Sequence, residues 1–229
     1  MLSFEDKWEN SQILGWKNNK DFIVSLFKRF NLDVIDLYAK VISCSYDRMQ
    51  AICYLLSKIG KVIKICDFLD TLEKENHEDV EVIKIYLLIS HAEIASRTFG
   101  VVGKKDVLVK EFFDPIVDKY KLNYKIRLSL GKLPRDPKDD LLATDILYKI
   151  RCEYAHEGNY TGRIFRKAET ESMVYNGFSF KHSNSQIMAE CSLSYTDFLN
   201  IFMDALWRNI EKFIEKKNWT LSNIAPTIR

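Results

Sequence analysis

Apolar residues in the first part of the chain recur at intervals of three and four: Phe22, Leu26, Phe30, then Ile35, Tyr38, Ile42, then Ile52, Leu55, Ile59, Ile63. That period is helical and predicts helices from Lys20 to about Leu72. The acidic stretch from Glu73 to Glu81 is either a connection or the charged first turn of the next helix, because carboxylates are stabilised at helix N-termini. A helix is expected from about Asp79 to Thr98, with Gly100 near its stop. Leu108 to Tyr120 and Asn123 to Leu130 read as shorter helical pieces, and Gly131, Pro134 and Pro137 mark a loop. Asp139 and Asp140 then open a helix predicted to run without a break to about His156 or Glu157, where Gly158 stops it.

Beyond Gly162 the pattern changes. Arg163 to Ala168, Met173 to Phe180 and Gln186 to Leu193 are short segments richer in β-branched, aromatic and alternating residues. They predict a small β-meander or a long hairpin, and Asn176-Gly177 is an alternative turn that would pair Met173–Tyr175 with Phe178–Phe180. A final helix is expected from a Ser194 or Thr196 cap to about Lys217, with Phe198, Phe202, Leu206, Ile210, Phe213 and Ile214 on its docking face. The fold class is therefore mainly α, a helical bundle with a small antiparallel β element inserted before the last helix. The chain reads as one domain over 1–229. Residues 1–75 form an N-terminal helical part that is possible as a semi-independent unit, and 76–229 form a core with the β insertion at about 163–193.

Composition agrees with a packed globule: 47% apolar and 29% charged residues, with only 8 Gly and 4 Pro, a balance that argues against disorder and turn-rich β folds. A net charge of +2 is too small to imply a nucleic-acid or membrane partner through bulk electrostatics. The segment from Lys104 to Lys138 carries an excess of Lys and Arg, read first as a solvated basic surface. Five cysteines without a C-x-x-C pair read as reduced core thiols. No apolar run approaches the roughly 20 residues that a membrane span needs, and the N-terminus lacks the pattern of a signal peptide. A cytoplasmic location without a membrane partner is the expectation. The histidines are scattered, no nucleotide-binding or hydrolase motif occurs, and neither a metal site nor a cofactor is expected.

The helix ending near His156 carries the candidate chemistry. Plotted at 100° per residue, Ala143, Ile146, Leu147, Ile150 and Tyr154 form its core stripe. The opposite sector holds Arg151, Ala155, Thr144, Tyr148, Cys152, Asp145 and His156, unusually small, neutral and aromatic for a solvated face. Such a sector suits contact with another helix or a second copy of the chain, leaving Arg151 and His156, about 140° apart, at the rims of a cleft. At the last turn the helix dipole favours the imidazolium form of His156, which brings its titration near neutral pH.

The run Leu147-Tyr-Lys-Ile-Arg151-Cys-Glu-Tyr-Ala-His156-Glu-Gly158 resembles the R-x-x-x-x-H helix of the HEPN superfamily, over about residues 140–160. The helix containing Glu93 and the final helix are similar in placement to family helices. The resemblance implies a helical bundle that pairs as a homodimer with two such motifs facing each other. In many members it also implies metal-independent endoribonuclease activity in defence, toxin or RNA-processing systems; other members are not catalytic. Arg151 and His156 are then the candidate catalytic residues, and Tyr148, Arg163, Arg166 and Lys167 the candidate substrate-binding residues. One position departs from the pattern: Cys152 stands where family nucleases carry Asn, Asp or His, and a thiol is a weak hydrogen-bond donor.

Each residue also has a plainer reading. Arg151 serves equally as a guanidinium tying its helix to a carboxylate such as Asp145 or Glu93. His156 can cap its own helix, Cys152 reads as a buried thiol, and an edge strand protected by charge accounts for Arg163 to Lys167. Two functions remain: a ribonuclease acting on RNA, and a non-catalytic module that dimerises or docks a protein partner the sequence leaves unknown. An open two-fold cleft at Arg151 and His156 favours the first, and closure by carboxylates or apolar packing favours the second.

Overall fold

The computed structural model of the chain describes residues 14–72, 77–128, 141–156, 161–162, 177–182, 185–216 and 219. The leading helical period becomes three helices, α1 (Leu14–Arg29), α2 (Val34–Ile42) and α3 (Tyr46–Leu72). Asp33 starts α2: its carboxylate accepts the N–H groups of Ile35 at 2.8 Å and Asp36 at 3.0 Å, donors that a first turn otherwise leaves unpaired. Phe22 lies against Gly60 and Arg29 pairs with Asp67, so α1 and α3 run parallel, with α2 as the return. Gly60 is glycine because the Phe22 ring fills the space of a side chain; a Cβ there would lie 1.9 Å from the ring's Cζ.

The next helix, α4 (His77–Thr98), ends where the glycine signal predicts. Gly100 adopts φ +79°, and the N–H groups of Gly100 and Val101 bond back to the carbonyls of Arg97 at 2.9 Å and Ser96 at 3.0 Å, a Schellman turn that glycine makes without a Cβ penalty. The Trp219 indole N–H donates to the Thr98 carbonyl at 3.1 Å and Lys216 Nζ to that of Phe99 at 3.2 Å. The tail beyond the last helix thereby closes the end of α4.

Two expectations are corrected in the following segment. The helical piece from Leu108 to Tyr120 is divided into α5 (Lys105–Phe113), a 3-10 turn (Asp114–Ile116) and α6 (Val117–Tyr120), because Pro115 has no N–H to continue the ladder. The helix expected from Asn123 to Leu130 is broken within the described residues, which in this segment end at Leu128: α7 (Leu122–Lys125) makes a single turn, and β1 (Ile126–Leu128) pairs antiparallel with a distant strand, Ile126 opposite Cys191 and Leu128 opposite Ala189.

The motif helix is α8 (Ala143–His156). It starts at Ala143 rather than Asp139, which with Asp140 lies outside the described residues, and Leu141 and Leu142 are not helical. Asp145 closes its first turn by accepting the Leu142 N–H at 3.0 Å, and the Asn123 side chain accepts the Ala143 N–H at 2.9 Å. With β2 (Thr161–Gly162), β3 (Gly177–His182) and β4 (Ser185–Cys191), β1 completes an antiparallel sheet in the order β1-β4-β3-β2. The sheet therefore extends beyond the predicted insertion at 163–193, and the expected strand at Arg163 to Ala168 lies outside the described residues. Asn176-Gly177 is not the hairpin turn: Gly177 opens β3 opposite Glu190, and the hairpin closes between His182 and Ser185. Last, α9 (Tyr195–Glu215) begins at the predicted Ser194 cap. The Ser194 hydroxyl accepts the Asp197 N–H at 3.0 Å while the Asp197 carboxylate accepts the Ser194 N–H at 3.1 Å.

The fold is thus mainly α with a small antiparallel sheet. Buried side chains from Ile23 to Trp219 form a continuous cluster, centred on aromatic pairs such as Phe112–Phe202 at 4.9 Å and Phe113–Phe198 at 6.0 Å between ring centroids. All five cysteines are free; Cys53, Cys66 and Cys191 are buried, and burial pushes the Cys53 thiol up to about 12. Among the described residues no helix is long and apolar enough to cross a membrane.

The α1–α3 contact gives a direct test. Over-packing costs about 1–3 kcal/mol, more than the roughly 1 kcal/mol that alanine gains over glycine inside a helix. Gly60→Ala is expected to lower stability in urea denaturation, and Phe22→Leu in the same chain to recover part of the loss. A Gly60→Ala protein more stable than wild type would show that α1 does not press on α3.

Candidate functional site

Four of the five residues of the core stripe predicted for α8 are fully buried, Ala143, Ile146, Leu147 and Ile150, whereas Tyr154 is only half-buried. The opposite sector is not free, because Thr144 is buried and Arg151 keeps only 9% of its surface. Arg151 therefore does not stand at an open rim within the chain. Its Nε lies 2.9 Å from Glu93 Oε1 of α4, with the two side chains 11% and 8% exposed. Of the two carboxylates that the sequence offers as partners, Glu93 takes the guanidinium, since Asp145 is engaged at the start of its own helix.

The contact is ionic without the alignment of a hydrogen bond, for Arg151 Nε and Glu93 Oε1 are both buried and unbonded by angle. Ser90 Oγ, one turn before Glu93 on α4, is also buried without a hydrogen-bond partner. Burial pushes the Glu93 carboxyl above its ordinary 4.5, opposed first by the Arg151 charge and then by Lys105 and Arg97. One aromatic ring lies beside the pair: the Arg151 guanidinium sits 5.9 Å from the centre of the Tyr86 ring, which in turn lies 5.2 Å from that of Tyr154.

Tyr148 and Cys152, one turn apart on α8, are half-buried and share a hydrogen bond. Burial first, then the bond and charge of Cys152, pushes the Tyr148 phenol up to about 12. Ala155 is exposed. His156 is the last residue of α8, one rise of about 7.5 Å along the axis from Arg151; its side chain, with Arg163, Arg166 and Lys167, lies outside the described residues. The structure thus brings Arg151, Tyr148 and Cys152 together with Glu93.

Tyr86 and Ser90 were missed by sequence reasoning. Their signal was the i, i+4, i+7 spacing of Tyr86, Ser90 and Glu93 along a helix otherwise largely apolar. His91 does not join them: its Nδ1 donates to the Leu87 carbonyl at 2.8 Å, and burial holds its pKa below the ordinary 6.5. Among the described residues no group of three His, Cys, Asp or Glu side chains is placed to hold a metal ion. No protein-family model, no curated protein and no solved structure matches the chain.

Removing one partner from a buried pair leaves an uncompensated charge, which typically costs about 3–5 kcal/mol. Arg151→Ala is expected to destabilise the fold on that scale at pH 7. The sign with pH follows from Glu93. Its folded pKa is raised, and further so without Arg151, so the folded state binds more protons than the unfolded state above pH 4.5. The variant therefore regains stability as the pH falls from 7 to 5 and loses it as the pH rises through the folded pKa. Denaturation of both proteins across that range checks this, and a pH-independent difference between them would remove Glu93 as the cause.

Proposed function

We propose that the end of α8 is the cleavage site of a HEPN-like, metal-independent endoribonuclease. The observation that carries the reading is the under-satisfied polar cluster of Ser90, Glu93 and Arg151, held beside the R-x-x-x-x-H helix end within a packed protein. Buried polar atoms without aligned bonds cost stability, and their presence at one place is the mark of a site kept for a ligand. Glu93 approaches Arg151 by Nε, the side of the guanidinium fork. The two terminal nitrogens are then the donors for a phosphate.

In this reading Arg151 neutralises the charge that grows on the phosphate under attack. His156, at the C-terminal end of the helix dipole, takes the proton of a ribose 2′-hydroxyl or delivers one to the 5′-oxygen leaving group. The bond from the 2′-oxygen to phosphorus forms as the bond to the 5′-oxygen breaks, leaving a 2′,3′-cyclic phosphate and a 5′-hydroxyl. Tyr148 donates to the substrate, and Arg163, Arg166 and Lys167 contact its backbone. The protein works as a homodimer through the face containing Tyr148, Cys152 and Ala155, and RNA is its partner.

The closure of Arg151 by Glu93 favours a second reading, a non-catalytic module in which the pair only ties α8 to α4 and the same face docks a second copy or another protein. Cleavage of single-stranded and structured RNA in the presence of a chelator separates the two. The expected result is cleavage with cyclic-phosphate ends, no action on DNA, and a loss of about 10² to 10⁴ in rate for His156→Ala. Arg151→Lys, which keeps the charge opposite Glu93 and removes the fork, should cleave poorly while remaining folded. A wild-type protein inert toward every RNA tested overturns the nuclease reading in favour of the module.

A further inference from the structure

A second surface is built on α3, away from α8. Three large apolar side chains on this helix face solvent, Tyr54 at 41%, Ile65 at 48% and Phe68 at 61% exposure. At 100° per residue they fall with Lys58 and Lys61 in one stripe about 80° wide and about 21 Å long. Lys64 borders it, and all three lysines are exposed. The carboxylates in this half of the helix are already engaged, Asp67 with Arg29 and Asp70 with Lys84. Lys58 lies 5.2 Å over the Tyr54 ring and Lys64 4.4 Å over the Phe22 ring. Cations at every third residue, with aromatic rings at both ends and no acid among them, complement a polyanion that also presents flat apolar faces.

We propose that this face of α3 is a binding track for single-stranded RNA, with Lys58, Lys61 and Lys64 on successive phosphates and Tyr54 and Phe68 stacking bases. An acidic amphipathic helix fits less well. It needs apolar anchors at every turn, whereas the interval from Tyr54 to Ile65 on this face is filled by lysines. The track has a geometric relation to the candidate site: α4 packs against both α3 and α8, with Glu93 turned to Arg151 and His91 within the electrostatic reach of Lys58. The axes of α3 and α8 are therefore no more than about two interhelical spacings of 8–10 Å apart. The choice of RNA over DNA rests on the ribonuclease reading; the charge and aromatic pattern does not.

Fluorescence anisotropy of a labelled uridine 20-mer tests the track, using the His156→Ala protein so that the probe stays intact. The paired change Lys58→Glu with Lys61→Glu is expected to weaken binding at least tenfold and to reduce the salt slope by about 1.4, the value for two lost phosphate contacts on a single strand. Tyr54→Ala with Phe68→Ala should weaken binding about tenfold at every salt concentration and leave the slope unchanged. Both pairs are exposed, and circular dichroism confirms that each variant is folded. In an otherwise wild-type chain, the lysine pair should slow cleavage of the 20-mer and leave cleavage of a dinucleotide unchanged. Binding insensitive to both pairs overturns the proposal, as does a Glu/Leu amphipathic peptide binding this face when the 20-mer does not. Track binding without cleavage by the wild type sinks the nuclease reading alone, and cleavage insensitive to both pairs sinks the track alone.

Discussion

Helix α4 has to be surrounded. Val80, Ile85, Leu88, Ile89, Ala92 and Ala95 are buried on several sides of it, and a helix apolar around most of its circumference is stable in water only when other elements cover it. Helices α3, α5, α8 and α9 all pack on it. Each buried aliphatic side chain contributes about 1.5–3 kcal/mol. The small Ala92 and Ala95 leave room for close approach. The rest of the architecture follows as ways of bringing those four helices alongside, including the Schellman turn after Thr98 that sends the chain back as α5 and the tail that returns to close the same helix end.

Charge decides which neighbour takes which side. Three charged side chains on α4 are buried, Glu81, Lys84 and Glu93, and two of them meet their opposite from a flanking helix: Lys84 contacts Asp70 of α3, and Glu93 lies against Arg151 of α8. Either charge left without its partner would carry a desolvation penalty of several kcal/mol. Packings that rotate α4 by a residue or exchange its neighbours are penalised accordingly, even where the apolar contacts would be nearly as good. The pair that anchors α8 is also the one at the candidate site, so the proposed function would draw on the same two residues that hold the helix in place.

That overlap gives the polar cluster its chemical character. A guanidinium held from one side by a buried carboxylate loses conformational freedom but keeps its charge, the property that the proposed phosphate contact would draw on. Burial pushes the Glu93 carboxyl upward, and the Arg151 charge is the first of the groups that oppose that rise. The Tyr86 ring beside the guanidinium adds a cation–π contact to the ion pair.

What the sequence determined by itself was whatever depends on neighbouring residues. The helical period, a Ser194 or Thr196 cap for the last helix, the Gly100 stop and most of the core stripe of α8 rest on contacts within one or two turns, and each was legible before any tertiary contact was known. The strand at Ile126–Leu128 was not legible, because its pairing partner, Ala189–Cys191, lies far along the chain and three residues carry no period. Nor was the hairpin turn: two places offered turn residues, and only the cross-strand register from Gly177–Glu190 to His182–Ser185 selects between them. For Arg151 the sequence supplied two carboxylates and no means of choosing. Packing chose, because α8 lays Arg151 on α4 at Glu93 while Asp145 is spent on the Leu142 N–H, and an ion pair forms where the fold brings opposite charges together out of water.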